Sequence, residues 1–336
     1  MLKASLARKL LSGQPARLTA LFMAAIGTGA AAGAFVPGMS PVANTAIDPL
    51  ILLLITWVLL ELRVDGLGPL KRAPRLAALV WLANTLLVPA IAFALTSLLP
   101  TSDDALRIGL LIYCLFPCTD WFLGFVRLAG GDTAVGAALI PINLLTQFVL
   151  YPIYLPLFTG QSVSAMLTDA GPTLLTWFVG PAAVALILRV LLALLAAPAR
   201  QEAVLARVSR TTPLVIAAMI FVLFAGHVEV LLARVGTVLP VLATVAGFFL
   251  ATYVLSEGIT RLARLEHPER ALLTVTMSAR NAPLMIAMTS VAFPDRPEIT
   301  AVIVVGMLIE FPHLTVVTHL LAHARDRAHA DTATAA

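Results

Sequence analysis

Apolar residues along this chain fall in long unbroken stretches separated by short polar or basic segments, with no sustained alternation of period two. Ten such stretches stand out, at 18–36, 47–62, 76–99, 105–128, 133–158, 172–195, 213–232, 235–259, 271–293 and 299–321. Each approaches the roughly 20 residues that a helix needs to cross about 30 Å of hydrocarbon. The alternating segments of a membrane barrel are missing. The pattern predicts an all-α membrane protein of ten transmembrane helices. The second stretch is the weakest of the ten, because Asp48 and Glu61 bracket a short apolar run.

Composition agrees with the pattern. Hydrophobic residues make up 60% of the 336 and charged residues 12%, against roughly 25% charged in soluble domains. Mean hydropathy is +0.96. The net charge of +4 is spread over loop ends rather than along one basic face, which argues for membrane topology and against nucleic acid. The start of the chain, with Lys3, Arg8 and Lys9 before an apolar run and small residues at Ala30, Ala31 and Ala32, has the look of a secretory signal. That run is long enough to span, and many spans follow, so an uncleaved first helix is expected. The two cysteines, Cys114 and Cys118, lie in one span and imply no disulfide framework.

Basic residues set the orientation. With both termini cytoplasmic, the inner side collects Lys3, Arg8, Lys9, Arg17, Arg63, Lys71, Arg72, Arg75, Arg127, Arg200, Arg207, Arg210, Arg261, Arg264, Arg270, Arg325 and Arg327. Only Arg107, Arg234 and Arg296 fall outside, while Arg189 and Arg280 lie within spans. The expected location is the cell (inner) membrane, multi-pass. Ten spans divide as five plus five, and an odd number per half inserts the second half upside down, an inverted repeat. The chain reads as one transporter domain over 1–336, with repeats at about 1–160 and 161–325 and a short cytoplasmic tail at 323–336, expected to fray after Ala322.

Two proline-marked polar clusters interrupt corresponding spans, the fourth and the ninth: Phe116-Pro117-Cys118-Thr119-Asp120 and Ser278-Ala279-Arg280-Asn281-Ala282-Pro283. Proline removes a backbone donor and collides with the preceding turn, so each helix should be discontinuous there. Broken helices at matching positions of two halves point to a transport site, and an ionisable group inside the membrane is a functional candidate by default. Cys118 and Thr119 offer a thiol and a hydroxyl, while Asn281 and Ser278 offer short polar groups for a solute. Asp120, Arg280 and Glu310 form a candidate charge set for coupling.

Arg280 is nearly always charged and has five donors in a planar fork; its candidate partners are Asp120, Glu310 and an anionic substrate. A permanent Asp120 to Arg280 bridge that pins the helix crossing is the structural alternative. Glu310, deep in the last span and one turn before His313, suits a site that takes up a proton, since burial favours the neutral carboxyl. Held by Arg280 instead, it would stay ionised. Asn143 and Gln147, four apart, share a helix face and either line the cavity or link helices. His313 is a further possible lining residue. Glu310 with His313 has the spacing for a metal but falls short of a ligand set, so no metal and no cofactor are expected.

At these residues the chain resembles the bile acid:sodium symporter superfamily, and within it the arsenite efflux permeases. The specific elements are Pro117-Cys118-Thr119 and the stretch Gly306-Met307-Leu308-Ile309-Glu310-Phe311-Pro312. The resemblance implies transport roles for Cys118 and Glu310. It also implies spans 1, 2, 6 and 7 as a panel that moves against a core of spans 3 to 5 and 8 to 10, with the broken helices 4 and 9 crossing at its centre. Sodium-coupled members carry a Glu-x-Gly-x-Gln-Asn run in span 9; aligned on Asn281, this chain has Thr276, Ser278 and Arg280 where the Glu, Gly and Gln would fall. Sodium coupling is therefore not expected. Arsenite permeases commonly carry an acid shortly after that Asn, where this chain has Pro283, and Asp120 is a candidate to supply the charge from span 4.

The expected function is secondary active transport, with proton-coupled arsenite efflux favoured. The alternative is a symporter of an organic anion whose carboxylate Arg280 would bind. A passive channel would lack dependence on a proton gradient. An intramembrane enzyme would need a nucleophile with its base, or a full metal set, and the sequence offers neither. The partners implied are the lipid bilayer, a small solute and protons.

Overall fold

The computed structural model describes residues 14–61, 68–99, 103–119, 121–159, 171–233, 235–293 and 296–335, and among them the chain is almost wholly helical with no β-strand. In order the helices are α1 (Gln14–Phe35), α2 (Met39–Glu61), α3 (Gly68–Arg72), α4 (Pro74–Leu82), a π-helical turn (Ala83–Leu87), α5 (Val88–Ser97), α6 (Asp104–Leu115), α7 (Phe122–Ala129) and α8 (Thr133–Thr159). They continue as α9 (Gly171–Leu195), α10 (Pro198–Ala233), α11 (Val235–Ala263), α12 (His267–Ser278), α13 (Ala282–Ala292) and α14 (Pro297–Ala335). Among the described residues, six stretches are long and apolar enough to cross a membrane: Met39–Trp57, Pro74–Ser97, Thr133–Thr159, Pro198–Glu229, Val238–Ala263 and Pro297–Arg327. Ala20–Phe35 and Val179–Leu195 are shorter apolar helices. Leu194 and Leu195, 75% and 78% exposed on α9, fit a face turned to lipid rather than to water.

The fourth and ninth apolar stretches are each two half-helices, as their prolines predict. The third is interrupted too, a break that its apolar pattern does not show. Pro89 has no N–H to give the Thr85 carbonyl one turn back, the ladder widens into the π turn, and the Tyr154 hydroxyl donates to Thr85 O at 2.6 Å instead. Two helices outrun their apolar windows. α10 starts at Pro198 rather than near 213, and α14 runs to Ala335 instead of fraying after Ala322. Hydropathy marks the part suited to hydrocarbon, whereas the backbone ladder continues through Ala- and Arg-rich sequence until something stops it.

Packing falls into two groups. α10 lies along α1 and α2, and α9 packs on α2. In the other group α14 packs on α6, α7 and α13, while α11 packs on α12 and α14. The first group closes backbone to backbone: a Cβ on Gly29 would strike the Phe221 carbonyl, and one on Gly33 the Ala225 carbonyl, a small-xxx-small contact of membrane helices. Arg189, inside α9, donates through Nε and Nη2 to the Leu60 carbonyl at 3.0 and 2.8 Å, at the C-terminal end of α2 where carbonyls lack helical partners.

Candidate functional site

The site forms where the two breaks cross. α6 stops at Leu115 and the chain runs extended from Phe116 (φ −119, ψ 140); α12 stops at Ser278 and runs extended from Ala279 (φ −80, ψ 130). The two extended pieces pair as an antiparallel bridge between Pro117 and Arg280. Cys118 N donates to Ala279 O at 2.9 Å and Asn281 N to Phe116 O at 3.2 Å. Backbone freed by the breaks thus finds partners inside the protein, the condition for non-helical chain at membrane depth.

Around the bridge lie two polar networks. In the first, Gln147 Nε2 donates to Pro117 O at 2.9 Å, and Asn281 Nδ2 donates to Gln147 Oε1 at 2.7 Å and to Thr119 Oγ1 at 3.0 Å. Asn281 Oδ1, Asn143 Nδ2 and Ser278 Oγ are buried with no hydrogen-bond partner among the described residues. The second network is charged, and in it Arg280 Nε is buried with no hydrogen-bond partner among the described residues. Glu310 Oε1 accepts from the Arg280 backbone N–H at 2.9 Å and from Trp121 Nε1 at 3.2 Å, and its Oε2 accepts from the Tyr113 hydroxyl at 2.9 Å. The Arg280 guanidinium points the other way. Nη1 donates to Cys114 O at 3.1 Å, and Nη2 to Thr276 O, Met277 O and Asn84 Oδ1 at 2.9, 2.8 and 3.4 Å. Both side chains are fully buried, and Arg280 sits 5.4 Å from the centre of the Phe248 ring.

A small pocket opens beside the crossing, its empty space of about 310 Å³ including the part open to the outside, lined by Ile51, Leu54 and Ile55 of α2, Leu144 of α8, and Thr119, Asn281, Pro283 and Leu284. Among the described residues its polar lining is neutral: one hydroxyl and one carboxamide. Of the candidate residues, Thr119 and Asn281 line this pocket, whereas Cys118, Ser278, Asn143, Gln147, Arg280 and Glu310 are buried behind or beside it. His313 is half-buried and stacks on Phe249, with ring centres 4.5 Å apart. Asp120 lies outside the described residues, so the Asp120 to Arg280 bridge does too. Glu310 and Arg280 do meet, through the Arg280 backbone; among the described residues no carboxylate lies within ion-pair distance of the guanidinium.

Sequence reasoning missed Tyr113, Trp121 and Asn84. The two aromatics flank the first break, where their polar tips need a partner once buried. Asn84 carried a readable signal, an amide within an otherwise apolar span. Its Nδ2 donates to Val80 O at 2.9 Å and to Thr276 Oγ1 at 3.3 Å, which leaves Oδ1 to face Arg280.

The chain matches the model of the SBF-like CPA transporter family, which is bile acid:sodium symporter-like, over residues 22–326. No curated protein matches it. The match covers most of the chain, and the protein belongs to this family: it is a multi-pass membrane transporter.

Proposed function

We propose that this member of the SBF-like transporter family moves a small neutral polar solute through the pocket beside the crossing, with proton-coupled arsenite efflux as the leading assignment. The observation that carries the reading is a pocket whose described lining is neutral, next to a charge network turned inward to the crossing. Thr119 and Asn281 line the space, whereas both carboxylate oxygens of Glu310 and both terminal nitrogens of Arg280 bond inside the crossing. A mostly neutral trihydroxy solute needs both donors and acceptors, and the unpartnered Asn281 Oδ1 is a buried acceptor on a pocket residue. The Cys118 thiol, a soft ligand, is next in sequence to Thr119 and places thiol chemistry one residue from the lining.

We read the architecture as ten crossings, a five-plus-five inverted repeat in one domain, with α6/α7 and α12/α13 as the discontinuous fourth and ninth helices and both termini in the cytoplasm of the cell. Six long apolar stretches, two shorter ones and two broken pairs support that count. The α1, α2, α9 and α10 group would be the panel and the remainder the core.

The test is uptake by everted membrane vesicles or proteoliposomes, with arsenite supplied with and without a proton gradient and with sodium varied separately. Transport should follow the proton gradient, ignore sodium, and fall at least about tenfold in Cys118→Ser and in Asn281→Ala. Absence of arsenite movement by the wild type, or normal export by both variants, rejects the assignment.

A second reading, an organic anion carrier, draws on one feature. α13 begins at the pocket, and its N-cap Asn281 makes no side-chain cap, so the partial positive charge of a helix start faces the space. The carboxylate would then meet the helix end rather than Arg280, whose donors are turned to carbonyls. This reading predicts anion uptake that ignores Cys118→Ser.

A further inference from the structure

Among the described residues, every hydrogen-bond acceptor of the Arg280 guanidinium is an oxygen of a neutral group, and Nε has none. Three are main-chain carbonyls of two different half-helices. α6 closes at Leu115 and α12 at Ser278, so the carbonyls of Cys114, Thr276 and Met277 belong to the last turns, which lack helical N–H partners. Each helix end carries roughly half a negative charge. The crossing brings the two ends together on one positive centre, with Asn84 Oδ1 as a fourth oxygen and the Phe248 ring beside it. Acceptor distances run from 2.8 to 3.4 Å, and the side chain is fully buried.

Carbonyl and amide oxygens that converge from broken helix ends are the ligands a hard alkali cation takes in transporters with discontinuous helices. Here a covalently held cation occupies them. Glu310 accepts the backbone N–H of the same residue, which fixes the stem of the side chain while leaving the oxygens to the guanidinium.

We infer that Arg280 is a tethered cation: its guanidinium fills an oxygen cage that would otherwise take a dissociable alkali ion such as Na⁺. The crossing is then complete without a bound metal ion, and this charge stays with the protein through the transport cycle. The inference deepens the coupling side of the proposed function and rests on the transporter reading only for that consequence. The cage itself is a property of the folded chain.

The consequence is a latent cation site. Arg280→Ala removes the guanidinium and leaves the oxygens, and Arg280→Ser adds a hydroxyl to them. The purified full chain is unfolded by heat in detergent in NaCl, KCl or choline chloride at equal ionic strength. The wild type should show one midpoint in all three salts. Each variant should melt earlier in choline and recover by at least about 3 °C, saturably, in NaCl or KCl; Arg280→Lys should fold and ignore the salt. A wild-type midpoint raised selectively by Na⁺ or K⁺ overturns the inference, as does an ion-dependent Arg280→Lys. So does a failure of both smaller variants to gain stability from either alkali ion, including failure to fold in every salt. If wild-type vesicles do not move arsenite, the solute assignment falls while these midpoints stand.

Discussion

Replacing Glu310 tests whether the carboxylate holds the crossing together. Three donors from three places converge on it: the Arg280 N–H on the second break, the Trp121 indole just after the first, and the Tyr113 hydroxyl on α6. Glu310→Leu keeps the volume roughly and removes every acceptor. Three buried donors are then left unsatisfied at about 1–3 kcal/mol each, or about 4–6 kcal/mol in total once the phenol and indole re-aim. The buried Arg280 charge also loses the nearest described counter-charge, which adds to the loss. Against a native stability of about 5–15 kcal/mol, this variant should be marginal, with a melting midpoint lower by about 10 °C or more.

Glu310→Gln is far milder by the same reasoning. Its carbonyl oxygen can keep the Arg280 and Trp121 bonds, and its amide can donate to a rotated Tyr113 hydroxyl. Only charge assistance is lost, for about 1–3 kcal/mol. Thermal unfolding in detergent reads both numbers, and a double-mutant cycle with Tyr113→Phe isolates one bond: that change should cost about 1–3 kcal/mol in the wild type and close to nothing beside Glu310→Leu. A Glu310→Leu protein that melts within about 2 °C of the wild type refutes the reasoning outright.

Three further outcomes follow from the packing. Ile55→Trp projects a large side chain into the pocket space and should suppress transport at least about tenfold while moving the melting midpoint little; normal transport would show that the solute takes another path. Gly33→Leu drives a side chain into the Ala225 carbonyl and Val228, whereas Gly27 has nothing within 4 Å. The first should lower stability by about 1–3 kcal/mol and the second leave it unchanged, read side by side as melting midpoints. Gln147→Leu strips the Pro117 carbonyl and the Asn281 amide of their shared partner, so about 2 kcal/mol of stability should go and transport should fall with it, measured in the same vesicles.

Much of the frame was legible in the sequence because hydrocarbon imposes simple rules. Apolar length gave the helices, and Pro117 and Pro283 with their polar neighbours marked the breaks that the structure shows. Polar residues inside apolar stretches also single out Arg280, Asn281, Glu310, Thr119 and Gln147, which the structure brings together at the crossing. What one-dimensional pattern could not supply was direction. Spacing put Glu310 and Arg280 in one charge set but could not say that the carboxylate takes the backbone N–H while the guanidinium turns to carbonyls. Nor could it place Gln147 as a brace between Pro117 and Asn281 rather than as lining. The π turn escaped because Pro89 near the middle of a long apolar run resembles the tolerated prolines at 141, 152 and 156 of α8, which stays helical throughout.

The pocket and the crossing divide the chemistry between them, and the division bears on what can move. Three of the lining residues, Ile51, Leu54 and Ile55, come from α2 in the group built on α10, and the others from the crossing and from α8 beside it. A displacement between the two groups would therefore change the pocket, along with the ring contacts of Phe22 on α1 with Trp121 and Phe311. The crossing resists such a change internally, since its bridge, its carboxylate and its guanidinium tie both broken helices to each other and to α14. The pocket is lined on the α2 side by aliphatic groups alone, which bind no partner by direction and can slide at little enthalpic cost. On the proposed transport reading, solute contacts that must hold through a cycle belong on the rigid side, where Thr119 and Asn281 line the pocket.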